Sequence, residues 1–187
     1  MPTLEVRLEI IRLIRNWNAD VVITHRPYDY HPDHRNTAIA VQDAAFLVTV
    51  PNVAPDAPAL KKNPVFLYSS DRFQKPLPFQ PEIAIDISDV YEQKMYGVAA
   101  HESQMFEWLP WHGGRLDKVP EGEKERLEWL TGSRGGRISP AVRESLIKWY
   151  GEDKGNKVTH AEAFEICEFG RLPDKDEIKR LFPMLGN

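Results

Sequence analysis

The chain has 187 residues, 42% hydrophobic and 28% charged, with a formal net charge of -4. Size and composition are those of one ordinary globular domain, the charge excludes a polybasic nucleic-acid-binding surface, and no apolar run approaches a membrane span. Cys167 is the one cysteine, which excludes an intrachain disulfide and a cysteine-based zinc site and favours a reducing, cytoplasmic setting.

Charges interrupt the opening string Met1-Pro-Thr-Leu-Glu-Val-Arg-Leu throughout, unlike a signal peptide. Leu4, Leu8, Ile11 and Ile14 recur at helical spacing, which predicts an amphipathic helix over 3–17. The β-branched run Val21-Val22-Ile23-Thr24 predicts a buried strand over 21–25, and a helix over 32–48 follows. Pro51 to Pro64 reads as a surface loop, Val65 to Tyr68 as a second strand, and Arg72 to Pro81 as another loop whose prolines exclude helix and central strand. Ile83 to Ile87 alternates as a third strand, and Ser88 or Asp89 caps a helix running to about Phe106. Beyond Trp108 the pattern is loop-rich, punctuated by Trp111, Gly113, Gly114, Gly135 and Gly136. Helices are expected at 121–131, at 139–150 with Ser139-Pro140 as cap and first position, from Thr159 with Ala163, Phe164 and Ile166 buried, and at 174–182. In that third helix Glu162 and Glu165 fall at i, i+3 on a solvated face.

The chemistry concentrates in His31-Pro32-Asp33-His34. Pro32 suits a first helical position, so His31 is the predicted N-cap and His34 lies one turn on, on the same face. Two imidazoles at a helix mouth, at the carboxyl end of a parallel strand, can address one ion or one substrate atom. A capping histidine beside a solvated one is the alternative reading of the same residues. His25 ends the strand near the same mouth and reads as a hydrogen-bonded structural imidazole.

The longer string Thr24-His-Arg-Pro-Tyr-Asp-Tyr-His-Pro-Asp-His-Arg35 resembles the second motif of the LmbE-like, or PIG-L, deacetylases, zinc-dependent amidases of acetylated amino sugars. Lys94 to Gln104, with His101-Glu-Ser-Gln104, is similar to the family's His-x-Ser-Gln helix, and Ala161 to Gly170 to its closing Ala-Glu-Ala-Phe segment. The resemblance implies an α/β fold, part of a Rossmann-like parallel sheet flanked by helices with a loop-rich helical carboxyl-terminal region. It implies zinc as cofactor, with His34 as metal ligand and His31 stabilising an oxyanion or protonating a leaving amine. Asp33 would orient His31, as a triad carboxylate does, and could equally favour the helix dipole in the first turn. Arg26, Tyr28, Asp29 and Tyr30 would line the substrate, with packing of their loop as the alternative, and His101 would lie close to the site or be a satisfied core histidine. The partner expected is a small acetylated amino-sugar-like substrate.

The family opens with Ala-His-Pro-Asp-Asp-Glu, which supplies two zinc ligands and the general base; that string is absent here, and the one His-Pro-Asp is at 31–33. The expectation is therefore a single domain over 1–187 without the amino-terminal part of such a deacetylase, inactive and weak in zinc by itself. Such a chain would be self-associated or dependent on a chain that carries the first half. A catalytically silent, ligand-binding relative is the alternative, and hydration or lyase chemistry on the same fold a third.

Overall fold

Thr3 starts the first helix, its side chain accepting from the Val6 N–H at 3.3 Å, and Asn18 ends it in the left-handed region at φ 50°. In this computed structural model, which describes residues 2–134 and 138–185, that helix is α1, Leu4–Trp17. It is followed by β1 (Val21–Thr24), α2 (Pro32–Leu47), β2 (Val65–Ser69) and β3 (Ile83–Asp86). Next come α3 (Tyr91–Ala99), a π-helical turn over Ser103–Trp108, α4 (Leu109–His112), α5 (Glu123–Arg134), α6 (Pro140–Tyr150) and α7 (Glu152–Lys157). The chain then forms β4 (Ala161–Cys167) and α8 (Lys175–Leu181). The expected punctuation at Gly135 and Gly136 lies outside the described residues.

The four strands form one open sheet in the order β1-β2-β4-β3. β1 and β2 are parallel, with Val21 opposite Val65 and Thr24 opposite Tyr68. β4 runs antiparallel to β2 on one side and to β3 on the other. The sheet is thus α/β as expected, parallel in the half that carries the site and antiparallel in the other.

Helices cover both faces. α1 and α2 bring Ile11, Ile14, Val41, Ala44 and Ala45 onto Phe66, Tyr68 and Cys167. On the opposite face Trp149 of α6 and Ile178 and Phe182 near α8 pack on Val65, Leu67, Ile83 and Ile85. A separate cluster of Met95, Met105, Phe106 and Leu130 holds α3, the π turn and α5 together.

Two expectations need correction. The segment after Thr159 is a strand, not a helix. Ala163 and Cys167 are buried in clusters on one side of the strand, while Phe164 and Ile166 pack into the cluster on the other. A strand covered on both faces shows an apolar run without clean alternation, and helical spacing mimics it. Glu162 and Glu165 consequently face opposite ways: Glu162 stays partly exposed and pairs with Lys94, whereas Glu165 is more covered and stands 3.6 Å from Arg26. The expected single helix from Ser88 to Phe106 is also broken. A 3-10 turn precedes α3, with no side-chain cap. After Ala99 the ladder is re-laid, the His101 carbonyl accepting from both Gln104 and Met105.

α8 is tied down by charge. Glu177 accepts from Lys62 at 3.1 Å and from Arg180 at 3.1 Å, and also pairs with Arg171. The Lys62 hydrogen bond first, then Arg180 and the Arg171 charge, hold its carboxyl at about 2. An unfolded glutamate titrates near ~4.3. The folded value is the lower one, so the stabilisation is complete above the unfolded value and fades as pH falls toward the folded one. Glu177→Gln is expected to lower stability to urea at neutral pH, the gap to the parent closing with acidification through that window. A gap of constant size across the window would sink this assignment.

Candidate functional site

β1 ends at Thr24 and the chain leaves the sheet through His25, crosses a tight loop and enters α2 at Pro32. His31 is the N-cap, its Nδ1 accepting from the Asp33 N–H at 3.3 Å. One carboxylate organises the loop. Asp29 is buried, its Oδ1 accepting from the His31 N–H at 2.8 Å, and its Oδ2 lying 3.1 Å from His34 Nδ1. Arg35 reaches back to donate to the Asp29 and Tyr30 carbonyls at 2.9 and 3.1 Å.

Three imidazoles gather there. The His25 and His34 rings stack at 4.2 Å between centroids and 14° between planes. The His31 ring lies 4.8 Å from that of His34, tilted by 35°. Tyr30 stands edge-on to both His31 and His34. Asp33 is exposed, its carboxylate 3.9 Å from His31 Nδ1, outside hydrogen-bond range. Burial pulls the His25 ring down from its ordinary value, the charge of His34 adds to this and that of Asp29 opposes it. Burial alone would raise the Asp29 carboxyl. The His31 N–H, the His34 hydrogen bond and the charges of His34 and His25 offset that, and hold it below the usual carboxylate range.

His25, Asp29 and His34 each offer one ligand atom, all within 4.8 Å of one another. Two imidazoles and a carboxylate are a donor set of the kind zinc takes, so the residues fit a metal ion in chemical type.

A cleft of about 740 Å³ has walls that include Arg26, Tyr28, Tyr68, Glu165 and Phe169; it takes residues of the loop between His25 and Asp29, but none of His25, Asp29, His31 and His34 lines it. Register explains its position: Tyr68 is the partner of Thr24 across β1–β2 and of Glu165 across β2–β4, level with the carboxyl end of β1. Arg26 is fully buried, donating to Asp71 at 3.0 Å and to the Leu77 carbonyl at 2.6 Å. Its guanidinium stands 5.8 Å from the Tyr28 ring.

Of the residues singled out in the sequence, the structure brings His31, Asp29, Tyr30 and His34 together, with Arg26 and Tyr28 at the adjoining cleft. His101 is exposed at the break after α3, and among the described residues no hydrogen bond, ion pair or ring contact joins its side chain to the group. The sequence places His25 near the same mouth and Asp29 on the substrate-lining loop, but specifies no contact of either with His34. The available signal was Asp29 two residues before a helix N-cap, where an aspartate turns its carboxylate onto the backbone.

The class is a mixed α/β domain, an open four-stranded sheet flanked by helices, with an imidazole–carboxylate group at the carboxyl end of a parallel strand. Residues 1–45, which contain the whole histidine group, match the model of the family PIG-L: GlcNAc-PI de-N-acetylase. The chain is similar to the diacetylchitobiose deacetylase of Thermococcus kodakarensis, 32% identical over 114 residues, which are 58% of this chain and 42% of that protein. The chain therefore spans less than half the length of that curated relative. In fold it is similar to the N,N'-diacetylchitobiose deacetylase of Pyrococcus horikoshii, with TM-score 0.54 and 18% identity over 94% of this chain and 57% of that one. It is also similar to the 4-carboxy-2-hydroxymuconate hydratase of Pseudomonas putida, with TM-score 0.60 and 16% identity over 92% of this chain and 62% of that one. The resemblance to the LmbE-like, PIG-L family is borne out.

Proposed function

We propose that this chain carries the histidine half of a zinc-dependent N-deacetylase site for an acetylated amino sugar. The observation that supports this most is the ring cluster around His34, at a helix mouth, inside the stretch that matches the family model. The relatives named above as diacetylchitobiose deacetylases make an N-acetylated disaccharide the substrate to try first.

His34 is the residue that would hold zinc, which when bound polarises a carbonyl and acidifies water. His31, with its ring 4.8 Å from that of His34, is placed to donate a proton to a carbonyl oxygen or to a departing amine. Asp33 would orient His31, its backbone N–H donating to His31 Nδ1 at 3.3 Å. Tyr28 and Phe169, on the walls of the cleft, offer aromatic faces to a sugar ring. Arg26 is held by Asp71 and Glu165 and so shapes the cleft rather than meeting an anion.

The absence of Ala-His-Pro-Asp-Asp-Glu favours a second reading, a catalytically silent relative. One experiment separates the two. Zinc content and acetate release from N,N'-diacetylchitobiose are measured for this chain alone, and after co-expression with an amino-terminal segment of a diacetylchitobiose deacetylase that carries the string. Alone, the chain is expected to hold little zinc and release no acetate, because a catalytic zinc takes three protein ligands and the stacked rings of His25 and His34 do not converge on one ion. With the segment, both should appear. No acetate in either case supports the silent reading; turnover with stoichiometric zinc by the chain alone overturns its dependence on added ligands.

A further inference from the structure

Although His25, Asp29 and His34 cluster like a three-ligand metal site, we propose that Asp29 and His25 are positioning residues that set the tautomer and orientation of His34. The inference rests on the reading of His34 as the metal-facing residue, but its first test needs no metal.

The carboxylate of Asp29 is already committed. One oxygen accepts the His31 N–H at 2.8 Å and the other meets His34 Nδ1 at 3.1 Å. The side chain is only 11% exposed, so withdrawing it from these partners would leave a half-buried N–H without its partner at the mouth of α2. An ionised carboxylate only accepts, so Nδ1 of His34 carries the proton and Nε2 presents the lone pair. Metal-binding imidazoles are commonly fixed this way, one nitrogen donating to a carboxylate while the other faces the ion. The same carboxylate holds the N-cap backbone, so Asp29 locks the ring of His34 to the start of its own helix.

The His25 ring excludes itself by direction. Lone pairs of imidazole lie in the ring plane. The planes of His25 and His34 are inclined by only 14° with centroids 4.2 Å apart. Two such planes meet far beyond the ~2.0–2.1 Å length of a zinc–nitrogen bond, so the two rings cannot aim at one ion. What His25 supplies is a flat surface against which His34 cannot swing.

The test is nitrogen-15 NMR of the histidine side chains, in the metal-free chain, at a pH where the rings are neutral. His34 is expected in the Nδ1–H form in the parent, a result that requires no variant to fold. Asp29→Ala is expected to release it toward the Nε2–H form, with the amide spectrum away from residues 24–36 unchanged. His25→Phe, which keeps a stacking surface, should leave the His34 tautomer as it is. In the complemented protein, Asp29→Ala should weaken zinc affinity about 10–100-fold, the usual effect of losing such a partner, and His25→Phe should leave zinc content unchanged. An Nε2–H form of His34 in the parent overturns the proposal, and so does zinc lost in His25→Phe as completely as in His34→Ala. Failure of the deacetylase reading would appear instead as absent acetate release with the tautomer result intact.

Discussion

Replacing His34 by Ala is expected to remove zinc from the complemented protein, whereas replacing His31 by Ala should leave zinc in place and lower acetate release by about a hundredfold or more. The two rings are neighbours, 4.8 Å apart, yet their hydrogen bonds set them to different work. His34 gives Nδ1 to Asp29 and has Nε2 to offer. His31 has its Nδ1 turned onto the Asp33 N–H as the helix cap, so its free Nε2 is the atom that can carry a proton toward substrate. Metal analysis and initial rates on the same preparations decide the matter. Equal loss of zinc in both variants would make His31 a ligand and dissolve the division of labour.

The legibility of this site followed the range of the interactions that build it. His31, Pro32 and His34 were readable because capping and helical phase are local rules acting over three or four residues. Asp29 was placed in the right loop, but its bond to His34 spans a turn whose geometry no spacing rule specifies. His25 was read as a structural imidazole, and stacking on His34 across that turn became visible only with the fold. The same limit explains β4. Its neighbours β2 and β3 lie roughly 80 to 100 residues earlier in the chain, and their apolar covers on both faces erase the alternation that marks a strand. The likeness of Ala161 to Gly170 to a family segment carried no phase information, so helical spacing won. α1, α6 and α8 were legible within a residue or two, because Thr3, Ser139 and Asp174 each cap the helix that follows.

Arg15 shows what such reading misses, and substituting it is expected to cost the most stability in this chain. In the helix predicted over 3–17 the apolar spacing of Leu4, Leu8, Ile11 and Ile14 does not mark it. In the structure it is 4% exposed. Its Nε donates to the Val48 carbonyl at 2.9 Å, and its Nη2 to those of Leu47 and Val50 at 3.0 and 2.8 Å. Nη1 reaches the Val53, Ala54 and Ala57 carbonyls at 2.6, 2.9 and 2.8 Å. No carboxylate forms a salt bridge with it among the described residues. Burial pulls the guanidinium down from its ordinary value, only partly opposed by the charge of Asp56, yet arginine stays protonated at any ordinary pH. Its partners are the end of α2 and the loop behind it, where Ala54 holds a left-handed conformation at φ 45°. The guanidinium thus acts as the backbone partner that this loop lacks. Arg15→Met would keep the aliphatic stem and strand several buried carbonyls, a loss of about 3–5 kcal/mol. Arg15→Lys should rescue little, because one ammonium with three donors cannot reach both sides of the loop. Urea denaturation measures the loss, and faster proteolysis within 48–57 would locate it. Because α2 carries His34 at its other end, the nitrogen-15 spectrum of that ring should broaden in Arg15→Met even where the domain stays folded. A change in stability below about 1 kcal/mol, the level of an ordinary exposed position, would show that water replaces the guanidinium and that the loop holds itself.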